Sequence, residues 1–418
     1  MPRLMSGYID KEDNSVMWYQ HVAACLVAVF CMTVLPLAAQ RNELDQAETY
    51  IKSGKDYDKA EKLMTDLLKN QKNRENKKIY QMWLEAVGGQ YAAANEKLYL
   101  KQKYDTSAFF GLTRRMFMIA ETLDSLDMKP DKKGRVKPEY RKRHAERLAP
   151  LRPNLYYGGS YYIRKADFQT AYDFYDTYLD TGRQPLFSSY HYLENDSVMP
   201  QAAYWAIYCG QRMHDAQRVL KYGELAKRNV DKVHFALQYL CEAHLWKNDT
   251  VAYVNTLREG FYRCPEYSYF FPRLADYYTK LGENDSVMVI ADYGLGVNPD
   301  NTLFLLAKSI VLLNTERYDE CIDVSSHMIE ICDTLPEPYY HIATCKLNQA
   351  LRLEKINEPR KYRSKLQQLY KEARPYMEDY RRMVPDDKQR WGPALYRIYF
   401  NLNLGRQFEE IDKLLRNH

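Results

Sequence analysis

The chain repeats with a spacing close to 34 residues, and that spacing restricts it to a stack of similar small units. Long segments with apolar residues every three or four positions alternate with short polar turns, and strand-like alternation is scarce. A small or aliphatic residue early in the second helix of each expected helical pair marks the repeat: Ala60, Ala94, Ala171, Ala216, Ala252, Val287, Cys321, Ala373 and Ile411. The steps between them are 34, 77, 45, 36, 35, 34, 52 and 38 residues. The step of 77 reads as two periods with a degenerate unit between, and those of 45 and 52 as one period plus an insertion. No single helical pair buries its apolar face alone, so neighbours stack into an array. The last segment, Phe408 to Arg416, keeps Phe408, Ile411, Leu414 and Leu415 on one face, as a terminal cap requires.

The residues around these marks carry a family likeness. Leu155-x-x-Gly158-Gly159-x-x-Tyr162 is followed by Ala171-x-x-x-Tyr175, and Phe271-x-x-Leu274-Ala275-x-x-Tyr278 by Val287 and Pro299. Gly54-Lys55-Asp56-Tyr57-Asp58-Lys59-Ala60 has the form of a turn into a second helix. Together these resemble the tetratricopeptide repeat family, over about residues 41 to 418. The pattern lapses at 105–151, where no good unit can be drawn, and at Cys321 and Ile411, which stand where alanine is expected. The resemblance implies an all-α, right-handed superhelical solenoid of about nine or ten hairpins. Its expected parts are N-terminal repeats over 40–104, a degenerate repeat with a basic insertion over 105–151, and a C-terminal array over 152–418 with a second basic insertion near 351–371.

Composition agrees with a thin array. There are 38 Tyr against 14 Phe, and a tyrosine packs its ring while its hydroxyl stays wet. Only 17 of 418 residues are Gly, which argues against turn-rich all-β folds and glycine-loop nucleotide enzymes. Residues 22–39 carry no charge and end in Ala38-Ala39 before the polar Gln40-Arg41-Asn42-Glu43. That is the shape of a secretory signal over 1–39 cleaved near Ala39, with an uncleaved inner-membrane anchor facing the periplasm as the alternative. The expected location is therefore periplasmic or outer-membrane-associated. Of eight cysteines, six follow residue 39; none forms Cys-x-x-Cys or a zinc spacing, and they read as small core residues, with disulfides as the alternative.

Catalytic motifs are scarce. Asp180-Thr181-Gly182 is followed by Arg183 and preceded by a helical segment, so it reads as a helix end with a glycine cap rather than a protease triplet. There is no His-Glu-x-x-His, no Gly-x-Ser-x-Gly and no phosphate-cradling loop. Neither a cofactor nor a catalytic or metal site is expected, and nucleic acid is disfavoured by export.

Binding surfaces remain. In the resembled family the first helix of each hairpin lines a concave groove, and this places Tyr156, Ser160, Arg164, Trp205, Tyr208, His234, His244, Tyr269, Asp276 and Lys280 along the expected groove. Aromatics with a few charges suit a protein or peptide partner, with a glycan or cell-wall ligand as the alternative. Lys129 to Arg147 holds nine basic and three acidic residues, including Lys132, Lys133, Arg135, Lys137, Arg141, Lys142 and Arg143. Arg352 to Lys371 holds seven and two, including Arg360, Lys361 and Arg363. Such segments either balance acidic neighbours or dock an anionic envelope surface or glycan. Glu194-Asn195-Asp196-Ser197-Val198-Met199 recurs as Glu283 to Met288, with a near copy at Asn248 to Val251, and reads as the start of a helix with side chains accepting the first free amides. The triplets centred on Ser125, Ser197, Thr250, Ser286 and Thr334 also resemble O-glycan acceptors of exported proteins in one Gram-negative lineage. The sequence thus points to an exported, non-enzymatic scaffold.

Overall fold

Every regular element among the described residues is helical. The computed structural model describes residues 41–130, 133–136, 138–356 and 359–416, so the expected signal segment lies outside the described residues. The chain divides into two units, Met1–Val230 and Asp231–His418. In the first, α1 (41–53) pairs with α2 (Tyr57–Lys69), and α3 (Lys77–Tyr99) with α4 (Thr106–Asp127). The short α5 (Arg141–Leu148) leads to α6 (Pro153–Arg164) and α7 (Phe168–Asp180); α8 (Tyr192–Asn195) then precedes α9 (Met199–Arg212) and α10 (Ala216–Ala226). The second unit pairs α11 (Val233–Trp246) with α12 (Thr250–Arg263), α13 (Phe270–Lys280) with α14 (Asn284–Val297), and α15 (Thr302–Asn314) with α16 (Tyr318–Ile331). It ends with α17 (Pro336–Glu354) against α18 (Pro359–Met383) and α19 (Lys388–Asn401) against α20 (Gly405–Arg416). No helix among the described residues is long and apolar enough to cross a membrane.

One turn recurs between the two helices of a hairpin. The chain leaves the first helix, places one residue in the left-handed region, and starts the second helix shortly after. Gly54, Ala166, His214, Asn248, Gly282, Glu316 and Asn403 hold that position, with φ between 53 and 73°. In three hairpins the next residue is an aspartate whose carboxylate accepts an amide of the first turn: Asp167 from Thr170 at 3.0 Å, Asp215 from Arg218 at 3.1 Å, and Asp249 from Ala252 at 3.0 Å. The aspartate satisfies one of the free N–H groups, and the left-handed residue reverses the chain within three positions.

Close helix contact depends on missing side chains. A Cβ on Gly159 would lie 2.6 Å from the Tyr175 ring, and one on Gly158 would lie 2.7 Å from Phe174, so the glycine pair of α6 lets two aromatics of α7 lie against its backbone. Gly260 and Gly294 do the same for Phe270 and Phe304 of the following hairpins. Phe261, Phe270, Phe271 and Phe304 form the centre of a cluster in the second unit.

Several marks shift. Ala60, Ala171, Cys321, Ala373 and Ile411 are fully buried and Val287 nearly so. Ala94, however, lies within the uninterrupted α3 and is only half-buried, so its spacing of 34 from Ala60 is accidental; the second helix of that hairpin is α4. Val219, not the half-buried Ala216, is the fully buried residue at the corresponding turn of α10, and Val254 replaces Ala252 in α12. The segment 105–151 is not a broken unit: α4, with 22 residues, matches α3, with 23. Likewise the insertion near 351–371 is accommodated by α17 and α18, which are themselves elongated, at 19 and 25 residues. Sequence spacing counts residues and does not distinguish a longer helix from a longer loop.

Candidate partner-binding site

In the first unit, four of the expected groove residues come together. The indole N–H of Trp205 on α9 donates to the Tyr156 hydroxyl on α6, joining the first helices of two successive hairpins. The Trp205 and Tyr208 rings meet edge-on at 5.6 Å, and Tyr208 meets Phe168 at 6.0 Å. Ser160 Oγ lies 2.9 Å from the Tyr175 hydroxyl. Burial raises the Tyr156 phenol above its ordinary value, with the Trp205 bond opposing it, so the hydroxyl stays protonated at neutral pH. Tyr156, Trp205 and Tyr208 are half-buried. Arg164 is exposed at the end of α6. Tyr157 and Tyr161 were not expected; Tyr157 is 58% exposed, and Lys165 lies 4.4 Å over the Tyr161 ring. Their run Tyr156-Tyr157…Tyr161-Tyr162 was the available signal.

In the second unit the expected residues separate. His234 packs on Phe235 and on Tyr267 at 4.8 Å, and burial lowers its pKa, as it does for His244. Tyr269 carries the Arg273 guanidinium 3.8 Å over its ring, a contact the sequence offered only as an i, i+4 spacing. Asp276 and Lys280 pair with each other at 2.7 Å on the solvent side.

The first basic segment is largely folded back on the protein. Arg141 makes two bonds of 2.8 Å to Asp124, which is 4% exposed. Asp127, also buried, accepts from Lys77 at 2.8 Å and from the amides of Glu139 and Tyr140. Burial opposes its ionisation, but these donors together hold its carboxyl below the ordinary range. Lys129 pairs with Glu75 at 2.7 Å and Arg147 with Glu85 at 3.2 Å. Arg143 lies over the Tyr140 ring at 5.7 Å, and Lys142 is 91% exposed with Glu146 4.0 Å away. Arg141 is therefore a structural cation rather than a docking one. Lys133 and Arg135 belong to the connecting stretch; Lys132, Lys137 and the side chain of Arg360 lie outside the described residues. At the second segment Arg352 pairs with Glu316 and covers Tyr318, Lys361 lies 5.2 Å over Tyr362, and Arg363 is exposed.

The repeated word has two fates. Asp196 accepts the Val198 amide at 2.8 Å and also binds Arg152 and Tyr178, whereas the second copy begins α14 at Asn284 with no side-chain cap. Only the near copy, at Asp249, caps its helix as expected. Ser125, Ser197, Thr250 and Thr334 are exposed and Ser286 half-buried. Gly182 does follow the end of α7, but its need is steric and not a left-handed cap: a Cβ there would lie 2.7 Å from Met199 Cε.

No group of three or more His, Cys, Asp or Glu side chains with metal-binding geometry occurs among the described residues. No family model and no curated protein matches the chain. Solved structures similar to it include a human IFIT1 dimer with PPP-AAAA, at 13% identity over 73% of this chain and 68% of that one with a TM-score of 0.33. The P58(IPK) TPR domain is similar at 12% identity, 91% and 99% coverage and a TM-score of 0.25, and yeast Tom70 at 12%, 97% and 90%, and 0.32. Similarity of that degree carries no argument about partner or activity. On the geometry of its own hairpins, the chain is an all-α array with a tetratricopeptide-like fold.

Proposed function

We propose that this protein is an exported, non-enzymatic scaffold of a bacterial cell envelope that holds a protein or peptide partner. The observation that carries the reading is the bonded pair Tyr156 and Trp205, with Tyr208 beside it. Half-exposed aromatics are the residues that dominate binding at protein interfaces, because they supply contact area at low entropic cost. The charge-free run at 22–39 supports export to a periplasm or the inner side of an outer membrane.

The test is capture of a partner from envelope fractions by the full-length protein, beside the Trp205→Ala variant. A partner held by the native chain and lost from a folded variant supports the scaffold. Retention on purified cell-wall glycan, with no protein held, would replace it with a glycan-binding module. N-terminal sequencing of the exported protein is expected to begin near Gln40 or Arg41; a start at Met1 or Met17 would replace the cleaved signal with an anchor.

A further inference from the structure

Cys321 and Cys345 are both fully buried, on α16 and α17, in one small cluster with Leu312 and Tyr318. The turn between the two helices centres near residue 333, and the two cysteines stand twelve positions on either side of it. In an antiparallel pair that places them at the same height. Cys321 Sγ reaches the Ser309 carbonyl oxygen at 3.3 Å, within the same cluster. Helices that meet through small residues approach to about 8–10 Å between axes, with Cα atoms about 2.3 Å from each axis. Facing Cα atoms are then roughly 3.5–5.5 Å apart, which overlaps the roughly 4.4–6.8 Å that a disulfide spans. Two small core residues of other kinds would fill this space equally well; two thiols in one cluster at one height are what a cross-link requires.

We propose that Cys321 and Cys345 are the site of a disulfide that staples α16 to α17. The oxidant is a disulfide, either a small molecule or one carried by a thiol oxidase. The Cys321 thiol gives up its proton and attacks one sulfur of that disulfide, breaking its S–S bond and releasing one thiol. The Cys345 thiolate then attacks the mixed disulfide at Cys321 and releases the second thiol. Two protein thiols and one disulfide become one protein disulfide and two thiols, and the oxidant takes up two electrons and two protons. Burial of both sulfurs places the exchange during folding, before α17 seats, and then shields the bond from reductants.

The test uses the full-length protein refolded in a glutathione redox buffer, unfolded with an alkylating reagent and cut after glutamate and, with a second protease, after aromatic residues and leucine. Cleavage at Glu320, Glu330, Tyr340 and Leu347 puts Cys321, Cys332 and Cys345 on separate peptides, 321–330, 331–340 and 341–347. The expected product is 321–330 joined to 341–347, separating on reduction. Recovery of both peptides singly alkylated, or of 321–330 joined to 331–340, overturns the proposal. The staple also predicts that reductant lowers the unfolding midpoint of the oxidised native chain and leaves that of Cys345→Ala unchanged. An equal shift in the variant, or none in the native chain, overturns it; should the variant not fold, the peptide result on the native chain decides.

Discussion

The Arg152 guanidinium donates to the Asp196 carboxylate at 2.6 Å while lying 3.7 Å from the Tyr178 ring and 3.9 Å from the Tyr192 ring. Arg152 is 5% exposed, and it also donates to the buried Thr181 hydroxyl at 2.6 Å. This one side chain ties the start of α6 to the end of α7 and to the segment leading into α9. Replacing it with Met leaves the carboxylate without its counter-charge, and the expected loss of stability is about 3–5 kcal/mol, read from urea unfolding. A loss below about 1 kcal/mol would mean that packing, not the ion pair, joins these elements.

The same carboxylate gives an acid-side pH dependence. Burial pushes the Asp196 carboxyl up, but hydrogen bonds from Tyr178, Arg152 and the Val198 amide together hold it below the ordinary value. A depressed native pKa contributes stability above the unfolded value, roughly 3.9, that is lost as pH falls through the native one. Asp196→Asn is expected to be less stable at pH 7 and to lose this part of the acid transition, as followed by circular dichroism between pH 2 and 6.

Glu121 on α4 gives the opposite slope. Its Oε1 is buried without a hydrogen-bond partner, and burial, with Asp180 and Asp176 nearby, raises its carboxyl to about 8. The native state then holds a proton that the unfolded state has released, so stability is full below the unfolded pKa and falls as pH rises through about 8. Glu121→Gln is expected to match the native chain near pH 5 and to exceed it near pH 9 by on the order of 1–4 kcal/mol. Parallel thermal unfolding profiles for the two proteins from pH 5 to 9 would rule this out.

Arg141 and Lys142 are neighbours with different roles. Arg141→Ser leaves the buried Asp124 unpaired and is expected to destabilise the protein by about 2–4 kcal/mol. Lys142→Ser removes an exposed charge and is expected to change stability by less than about 0.5 kcal/mol. If Lys142 helps hold an anionic partner, its loss shows instead as weaker salt dependence of retention. Equal unfolding midpoints for the two variants would contradict the assignment.

The turn and the glycine contacts can be separated by two substitutions. Ala166→Gly relieves a side chain held at φ 57° and is expected to stabilise by about 0.5–1 kcal/mol. Gly260→Ala puts a Cβ 2.3 Å from the fully buried Phe270 ring and is expected to destabilise by about 1–3 kcal/mol. Chemical unfolding of both checks the signs.

The hairpin array was legible from amino-acid order because its signals are local. Apolar residues three and four apart, small residues such as Gly158-Gly159, and aspartates such as Asp167 and Asp249 act within one helix or one turn, so a linear reading finds them. Ala94 shows the limit, since a spacing of 34 also arises inside a long helix. In the expected groove, Tyr156, Ser160, Trp205 and Tyr208 were found together, whereas Asp276 and Lys280 neutralise each other and Tyr269 lies under Arg273.

The fate of the charges was not legible in the same way. The basic stretch from Lys129 to Arg147 reads as a free cationic surface until Asp124, Asp127, Glu75 and Glu85 are brought against it. Those partners stand between 12 and 62 positions away in the chain. Composition sets how many charges there are; packing between helices sets which of them lose water and must pair. Helix formation is governed by neighbours a few residues away, while ion pairing, thiol contact and ring stacking depend on distances that exist only once the hairpins have stacked.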